Sequence, residues 1–412
     1  MAYDETTARR TADEKPSDTA AYRSNGLTPQ DDRRRSDQPD DASGEPTNDL
    51  TRRSAADEAG RDRLGIHLGW EVVLLLGAAA LAVLLWRVDP DAFQRPALDV
   101  LLITGAAIGL LTMGGGLSLR AGVPNLALGP IALAAALQYA EQGDRGLWKA
   151  VVPALVIAAA GAAVVALLIL VLHVPGWAAT FAAALGVVVF NQLRTAPVAV
   201  QGEFDPTSQA FFVFGGFALL SVLGGALGTV APLRRWMGLM RPSGDPARRR
   251  GPAVVIPVLV ALVLSSVFAV VAGVLTASVA TAPIEPGTGL EWSGIALGLA
   301  MLAGTSAYGR RGGIFGTLLA VIGLTLFLDY AGRKDLHISL FAIAACLFGA
   351  GLIVTRLVET FGRPLSPSSD DWDAAPAGTG GNWSPHLPET WSGGSASTRT
   401  ERWDDGPWGS SR

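Results

Sequence analysis

The chain has 412 residues, half of them apolar, and a formal net charge of −4. The apolar residues gather in long, nearly uncharged blocks instead of recurring at helical or strand period, which excludes an ordinary pair of soluble domains. The near-balanced charge gives no pull toward nucleic acid. The one cysteine, Cys346, excludes a disulfide framework.

In chain order, residues 1–66 are rich in Asp, Arg, Ser, Thr, Pro and Gly. They hold too few large apolar groups to offset the entropy of ordering, which predicts a disordered tail. A transmembrane domain follows over 67–362, and ten spans are predicted in it: 70–87, 98–117, 124–140, 150–172, 176–193, 209–231, 253–275, 293–308, 313–331 and 337–358. The longest of these blocks suffice to cross a hydrocarbon core of about 30 Å as helices. Residues 363–412 return to Ser, Gly, Pro and Asp and predict a second disordered tail. The expected fold is therefore an all-α integral membrane protein of about ten transmembrane helices. Trp70, Trp86, Trp148, Trp177, Trp236 and Trp292 fall at or near the predicted span ends, where indole finds both an apolar and a polar neighbour.

With the N-terminus inside, thirteen arginines flank the cytoplasmic ends against seven basic residues outside, and the loop over 232–252 supplies six of the thirteen. Both termini are thus expected in the cytoplasm of a cell bounded by a bacterial inner membrane. Glycines four apart recur within spans (Gly105 and Gly109, Gly224 and Gly228, Gly294 and Gly298, Gly312 and Gly316), a pattern that lets helix backbones approach closely in lipid.

Several chemistries have no support. No GxxxxGK[ST] loop is present to cradle ATP phosphates, and His67, His173, His337 and His386 lie far apart with no metal-binding spacing, so no cofactor or metal is expected. Among carboxylates near the spans, Asp329 lies near a span end and Glu71 at an interface. That scarcity argues against a proton-coupled carrier and against a membrane hydrolase.

Two segments stand out. In Gly114-Gly-Gly-Leu-Ser-Leu-Arg-Ala-Gly-Val-Pro-Asn-Leu-Ala-Leu-Gly129 a span ends in glycines, a charged turn intervenes, and Pro124 opens a new apolar run. Irregular backbone at membrane depth is tolerated where protein or water surrounds it, so this break is a pathway element or else a cytoplasmic hairpin. In Gly304-Thr-Ser-Ala-Tyr-Gly-Arg-Arg-Gly-Gly-Ile-Phe-Gly-Thr317 two arginines lie between glycine pairs in a tight polar turn.

At these residues the chain resembles the permease subunits of bacterial ATP-binding-cassette importers for monosaccharides, nucleosides and branched-chain amino acids. The stretch 304–317 is similar to the Gly-Thr-Ser-x-x-Gly-Gly-Arg-Gly-Ser-x-x-Gly-Thr signature of the ribose and xylose type, with Arg310 and Gly313 as departures. Ser118-Leu-Arg-Ala-Gly-Val-Pro-Asn125 is closer to the nucleoside type. The resemblance covers residues 70–358. It implies a non-catalytic translocator that pairs with a second permease, a cytoplasmic ATP-binding-cassette ATPase and an extracytoplasmic solute-binding protein. The implied cargo is a small neutral polar solute, a monosaccharide before a nucleoside. It also implies an ATPase-coupling loop after the sixth span, of which Arg241, Gly244, Asp245, Pro246, Ala247, Arg248 and Gly251 keep an echo. That divergence leaves a non-transporting or regulatory subunit, or a stand-alone carrier, as the alternatives. Ser118, Asn125, Asn191, Gln192, Thr305 and Ser306 are the polar groups near span ends expected to line the path or, singly, to join helices. A five-plus-five division would relate the halves as inverted repeats, pairing the break after the second span with the Pro- and Gly-rich stretch from Ala277 to Trp292.

Overall fold

A computed structural model describes residues 64–228, 230, 252–306 and 313–362. The tails up to 63 and from 363, the proposed coupling loop over 241–251 and residues 307–312 of the second glycine motif lie outside the described residues. Among the described residues there are ten α-helices: α1 (Leu64–Val88), α2 (Ala97–Arg120), α3 (Leu128–Gln142), α4 (Leu147–Leu172), α5 (Gly176–Gln192), α6 (Ala210–Leu227), α7 (Pro252–Ser278), α8 (Leu290–Leu302), α9 (Gly316–Arg333) and α10 (Leu340–Gly362). No strand occurs among them, only an isolated antiparallel bridge between Val198 and Ile284.

Seven of the helices, α1, α2, α4, α6, α7, α9 and α10, are long and apolar enough to cross a membrane. The other three are shorter, with 15 residues in α3, 17 in α5 and 13 in α8. At a rise of 1.5 Å per residue, α3 and α8 reach only about 20 Å, two thirds of a hydrocarbon core.

The boundaries differ from the expected ones for local reasons. Helix α1 begins six residues early: Leu64-Gly-Ile-His-Leu-Gly69 holds no proline and no Asp, Glu, Lys or Arg, and the helix runs through its two glycines. Helix α8 stops at Leu302, well before the expected 308: Gly304 takes φ +94°, and the Thr305 amide turns back to the Ala300 carbonyl, closing the helix end. Helix α3 starts at Leu128 instead of 124 because the Asn125 side chain accepts the Ala127 amide and holds the preceding residues in a turn.

Helices α2 and α7 form the centre. More than half of the apolar window is buried in each (56% and 61%), against 17% in α1 and α4. They pack on each other; α3 and α4 pack on α7, while α8 and α9 pack on α2. Helix α5 rests on α3, α10 on α8, α1 on α9, and α6 on α2. Lipid offers no hydrophobic drive between helices, so close backbone approach must supply the attraction. A Cβ at Gly298 would lie 2.7 Å from the Phe348 amide, and one at Gly225 would lie 2.5 Å from the Ile314 carbonyl. Of the expected pair Gly224 and Gly228, neither makes such a contact with another element; the neighbouring Gly225 does, against the turn that leads into α9.

Candidate functional site

The site is built where both interrupted segments enter the bundle. After α2, residues 121–127 fold back alongside α7. The Asn125 Nδ2 donates to the Ser265 hydroxyl at 2.8 Å and lies 3.4 Å from that of Ser266. Ser265 is the central residue of Pro252–Ser278. The Ser118 hydroxyl donates to the Gly115 carbonyl and accepts the Asn125 amide, pinning both ends of the turn. Thr180 of α5 donates to the Pro124 carbonyl at 2.7 Å. Helix α3 therefore begins beside the middle of α7, not beside its end.

The second interruption, 279–289, brings the start of α8 to the same place. Gly289, at φ +70°, caps α8, and a Cβ at Gly129 would fall 1.9 Å from its carbonyl oxygen. The Gly129 amide donates to the Ser293 hydroxyl, which donates in turn to the Leu126 carbonyl, both at 2.8 Å. Two short helices thus meet by their N-terminal ends, and one serine of α8 bonds both an amide and a carbonyl at the start of α3. The long helices make room in matching fashion: the Ala132 carbonyl lies 2.0 Å from the Cβ position of Gly273 in α7, and the Ala296 carbonyl 3.0 Å from that of Gly115 in α2.

Of the six expected polar residues, Ser118 and Asn125 come together in this crossing, and Asn191 reaches its edge. The Asn191 amide donates to the Pro130 carbonyl at 3.0 Å, while its Oδ1 is buried without a partner. Thr305 and Ser306 are buried, with Thr305 beside Gly116 of α2, so the two glycine motifs adjoin. Gln192 is exposed and does not join the group. Sequence reasoning missed Thr180, Ser265, Ser266 and Ser293. A signal for the crossing was present: at a constant offset of 164, residues 109–136 repeat Gly109, Leu111, Thr112, Leu126, Ile131, Ala132, Leu133 and Ala136 as Gly273, Leu275, Thr276, Leu290, Ile295, Ala296, Leu297 and Ala300. Thr112 and Thr276 even share a local bond, each hydroxyl donating four residues back.

Two further polar clusters fix the ends of helices. The Trp70 indole donates to the Leu302 carbonyl at 2.7 Å, and the buried Glu71 accepts the amides of Phe315 and Gly316 at 2.8 and 3.2 Å. Adjacent residues of α1 thus close the C-terminus of α8 and the N-terminus of α9, the two ends that flank the second glycine motif. At the opposite end of α9, Arg333 pairs with Asp329 at 2.7 Å and with Asp89, and Arg194 holds Glu141 through its Nη2 at 2.9 Å. By contrast, the Arg120 Nε at the end of α2 is buried with no partner. Among the described residues no group of three His, Cys, Asp or Glu side chains has the geometry of a metal site.

The loop after α5 crosses the end of α3. The Gln201 amide donates to the Ala140 carbonyl, the Phe204 amide to the Tyr139 hydroxyl, and Val198 exchanges both backbone bonds with Ile284. Farther along this loop Asp205 accepts both the hydroxyl and the amide of Thr207, which holds its exposed carboxyl below the usual carboxylate range.

No protein-family model, no curated protein and no solved structure matches this chain.

Proposed function

We propose that the chain is the membrane-embedded permease subunit of an ATP-driven importer for a small uncharged solute. The meeting of two interrupted segments beside the centre of α7 carries this reading. Transporters commonly place their translocation site where paired discontinuous helices meet near the bilayer middle. Here the pair is Leu128–Gln142 and Leu290–Leu302. With no phosphate-cradling loop in the sequence, this reading takes its energy from a separate ATPase chain. The expected second permease and extracytoplasmic binding protein belong to the same reading.

Ten crossings are part of the proposal, and contacts between helix ends support them by parity. Given that the seven long helices cross, the Arg194–Glu141 pair puts the ends of α3 and α5 on one side, so α5 crosses as α4 does. Arg95, before α2, lies over the Phe211 ring at the start of α6, so an even number of crossings separates them and α3 crosses too. Glu71 at the start of α1 bonds the start of α9, which requires α8 to cross as well. The repeat offset of 164 and the mirrored packing, α3 on α7 matching α8 on α2, favour halves of five spans in inverted orientation.

The test is ATP hydrolysis by the complex that copurifies with this chain from its native membrane, reconstituted in vesicles with a panel of monosaccharides and nucleosides. Solute-stimulated hydrolysis that disappears when this chain is left out is the expected result. Uptake into vesicles holding this chain alone, driven by an ion gradient, would overturn the proposal.

A further inference from the structure

Helices α4 and α5 barely touch, and between them, floored by α3 and α7, lies a cavity of about 500 Å³. Gly161 on α4 and Gly186 on α5 line it, and a Cβ on either would meet nothing within 4 Å, so these glycines open space instead of joining helices. The lining is alanine, valine, leucine and isoleucine with four polar side chains and no charged one. Two of those four are committed: Asn125 donates to Ser265 and Ser266, and Thr180 donates to the Pro124 carbonyl. The half-buried Gln138 amide has no hydrogen bond among the described residues. Ile157 and Phe190, 71% and 48% exposed, stand at the mouth, which therefore opens sideways on the faces of α4 and α5 turned away from the bundle.

The repeat offset supplies the comparison that gives this cavity meaning. A second hollow, of about 570 Å³, lies between α9 and α10 against α8, the counterparts of α4, α5 and α3. There Ala135 and Gln138 are replaced at the equivalent positions by Leu299 and Leu302. That hollow has α1 along it, its wall holds Cys346 and otherwise only apolar residues, and no amide reaches it. The second hollow is at least as roomy but wholly without a hydrogen-bonding amide, whereas the first offers an uncommitted donor and acceptor. An apolar slot with a few placed polar groups is the usual form of a small-molecule site.

We infer that the α4–α5 cavity binds an uncharged, single-chain amphiphile entering sideways from the bilayer, its aliphatic body along Gly161 and Gly186 and its hydroxyl or amide head at Gln138. The lining itself holds no counter-ion, and the nearby Arg194, over the Phe190 ring at 4.9 Å, is already paired with Glu141, so a charged head is disfavoured by the cost of desolvation. A monosaccharide would leave most of its hydroxyls unpaired there, so it does not fit this cavity. The inference does not depend on the permease reading: binding is measured without an ATPase, and stands or falls separately from transport.

The probe is a monoacylglycerol carrying a diazirine at mid-chain, photolysed with the full-length protein in lipid nanodiscs and mapped by peptide mass spectrometry. Saturable labelling over residues 153–165 and 180–190, displaced by unlabelled monoacylglycerol, is expected. Gly161→Trp, which enters open space, should remove that labelling, while Gly77→Trp in the second hollow should leave it intact. Gln138→Leu should weaken displacement by about fivefold, one hydrogen bond's worth. Unsaturable labelling spread evenly over α1, α4 and α6 would mean boundary lipid only. No labelling, with Ile157→Cys joining two copies by a disulfide, would mean that a second copy fills the slot. Either result overturns the inference.

Discussion

Glu71 shows what a single buried carboxylate accomplishes in a helical membrane protein. Its Oε1 takes two amides at the start of α9, groups that no residue of that helix can satisfy, while Trp70 closes the end of α8 from the preceding position. Glu71→Ala removes an acceptor from two buried donors and is expected to cost about 1–3 kcal/mol. Glu71→Gln, which keeps one oxygen, should lose less; thermal unfolding in detergent ranks the two. Arg120 presents the reverse situation, since its buried Nε has no partner. Replacing a half-buried guanidinium whose Nε is shut from water without a partner by an apolar group of similar length relieves that desolvation, so Arg120→Met should raise the melting temperature of the isolated chain. A lowered melting temperature would show that the guanidinium is compensated after all. Asn125 differs again: with its amide group bonded to Ser265 and to the Ala127 amide, Asn125→Leu should lower uptake chiefly by loosening the crossing, with a fall in thermal stability alongside.

Among the elements, the short helices α3 and α8 matter most because their starts cannot move independently. A side chain at Gly129 must displace the Gly289 carbonyl, which sits where the Cβ would be, 1.9 Å away. Overpacking of this kind costs about 1–3 kcal/mol, so Gly129→Val should destabilise the fold, whereas Gly186→Val, in open space, should be neutral. The same elements explain what could be read from the sequence. Uninterrupted apolar blocks such as 150–172 marked their helices to within three residues, the apolar run outweighing Pro153, which lies in the first turns of the helix. The segment 293–308 misled because apolarity says nothing of where the chain turns: Gly304 ended α8 early, and the crossing with Gly129 depends on contacts 160 residues apart. Ser118 and Asn125 stood out as polar groups in an apolar setting. Ser293 did not, since its role exists only once the two N-terminal ends are brought together.

For the whole molecule, the number of crossings decides where the ends of the chain lie. Seven long helices alone would leave the termini on opposite sides of the membrane, because seven is odd. Ten crossings return the C-terminus to the side of the N-terminus. The end contacts favour ten: Glu71 with Phe315 and Arg194 with Glu141 join helix ends that a seven-span chain would put on opposite sides, and once α5 crosses, Arg95 over Phe211 requires α3 to cross as well. In the proposed arrangement the excess of arginine over 232–252 would make that common side the cytoplasm. Cysteines placed one at a time in a Cys346→Ser background read the arrangement directly in intact cells. With a membrane-impermeant maleimide, Asp205→Cys and Lys334→Cys should label from outside, and cysteines appended at either terminus should label only after the membrane is opened. Labelling of the C-terminal cysteine but not the N-terminal one in sealed cells would make an odd number of crossings the correct count. It would also break the inverted relation between the halves, because at least one of α3, α5 and α8 could then not cross.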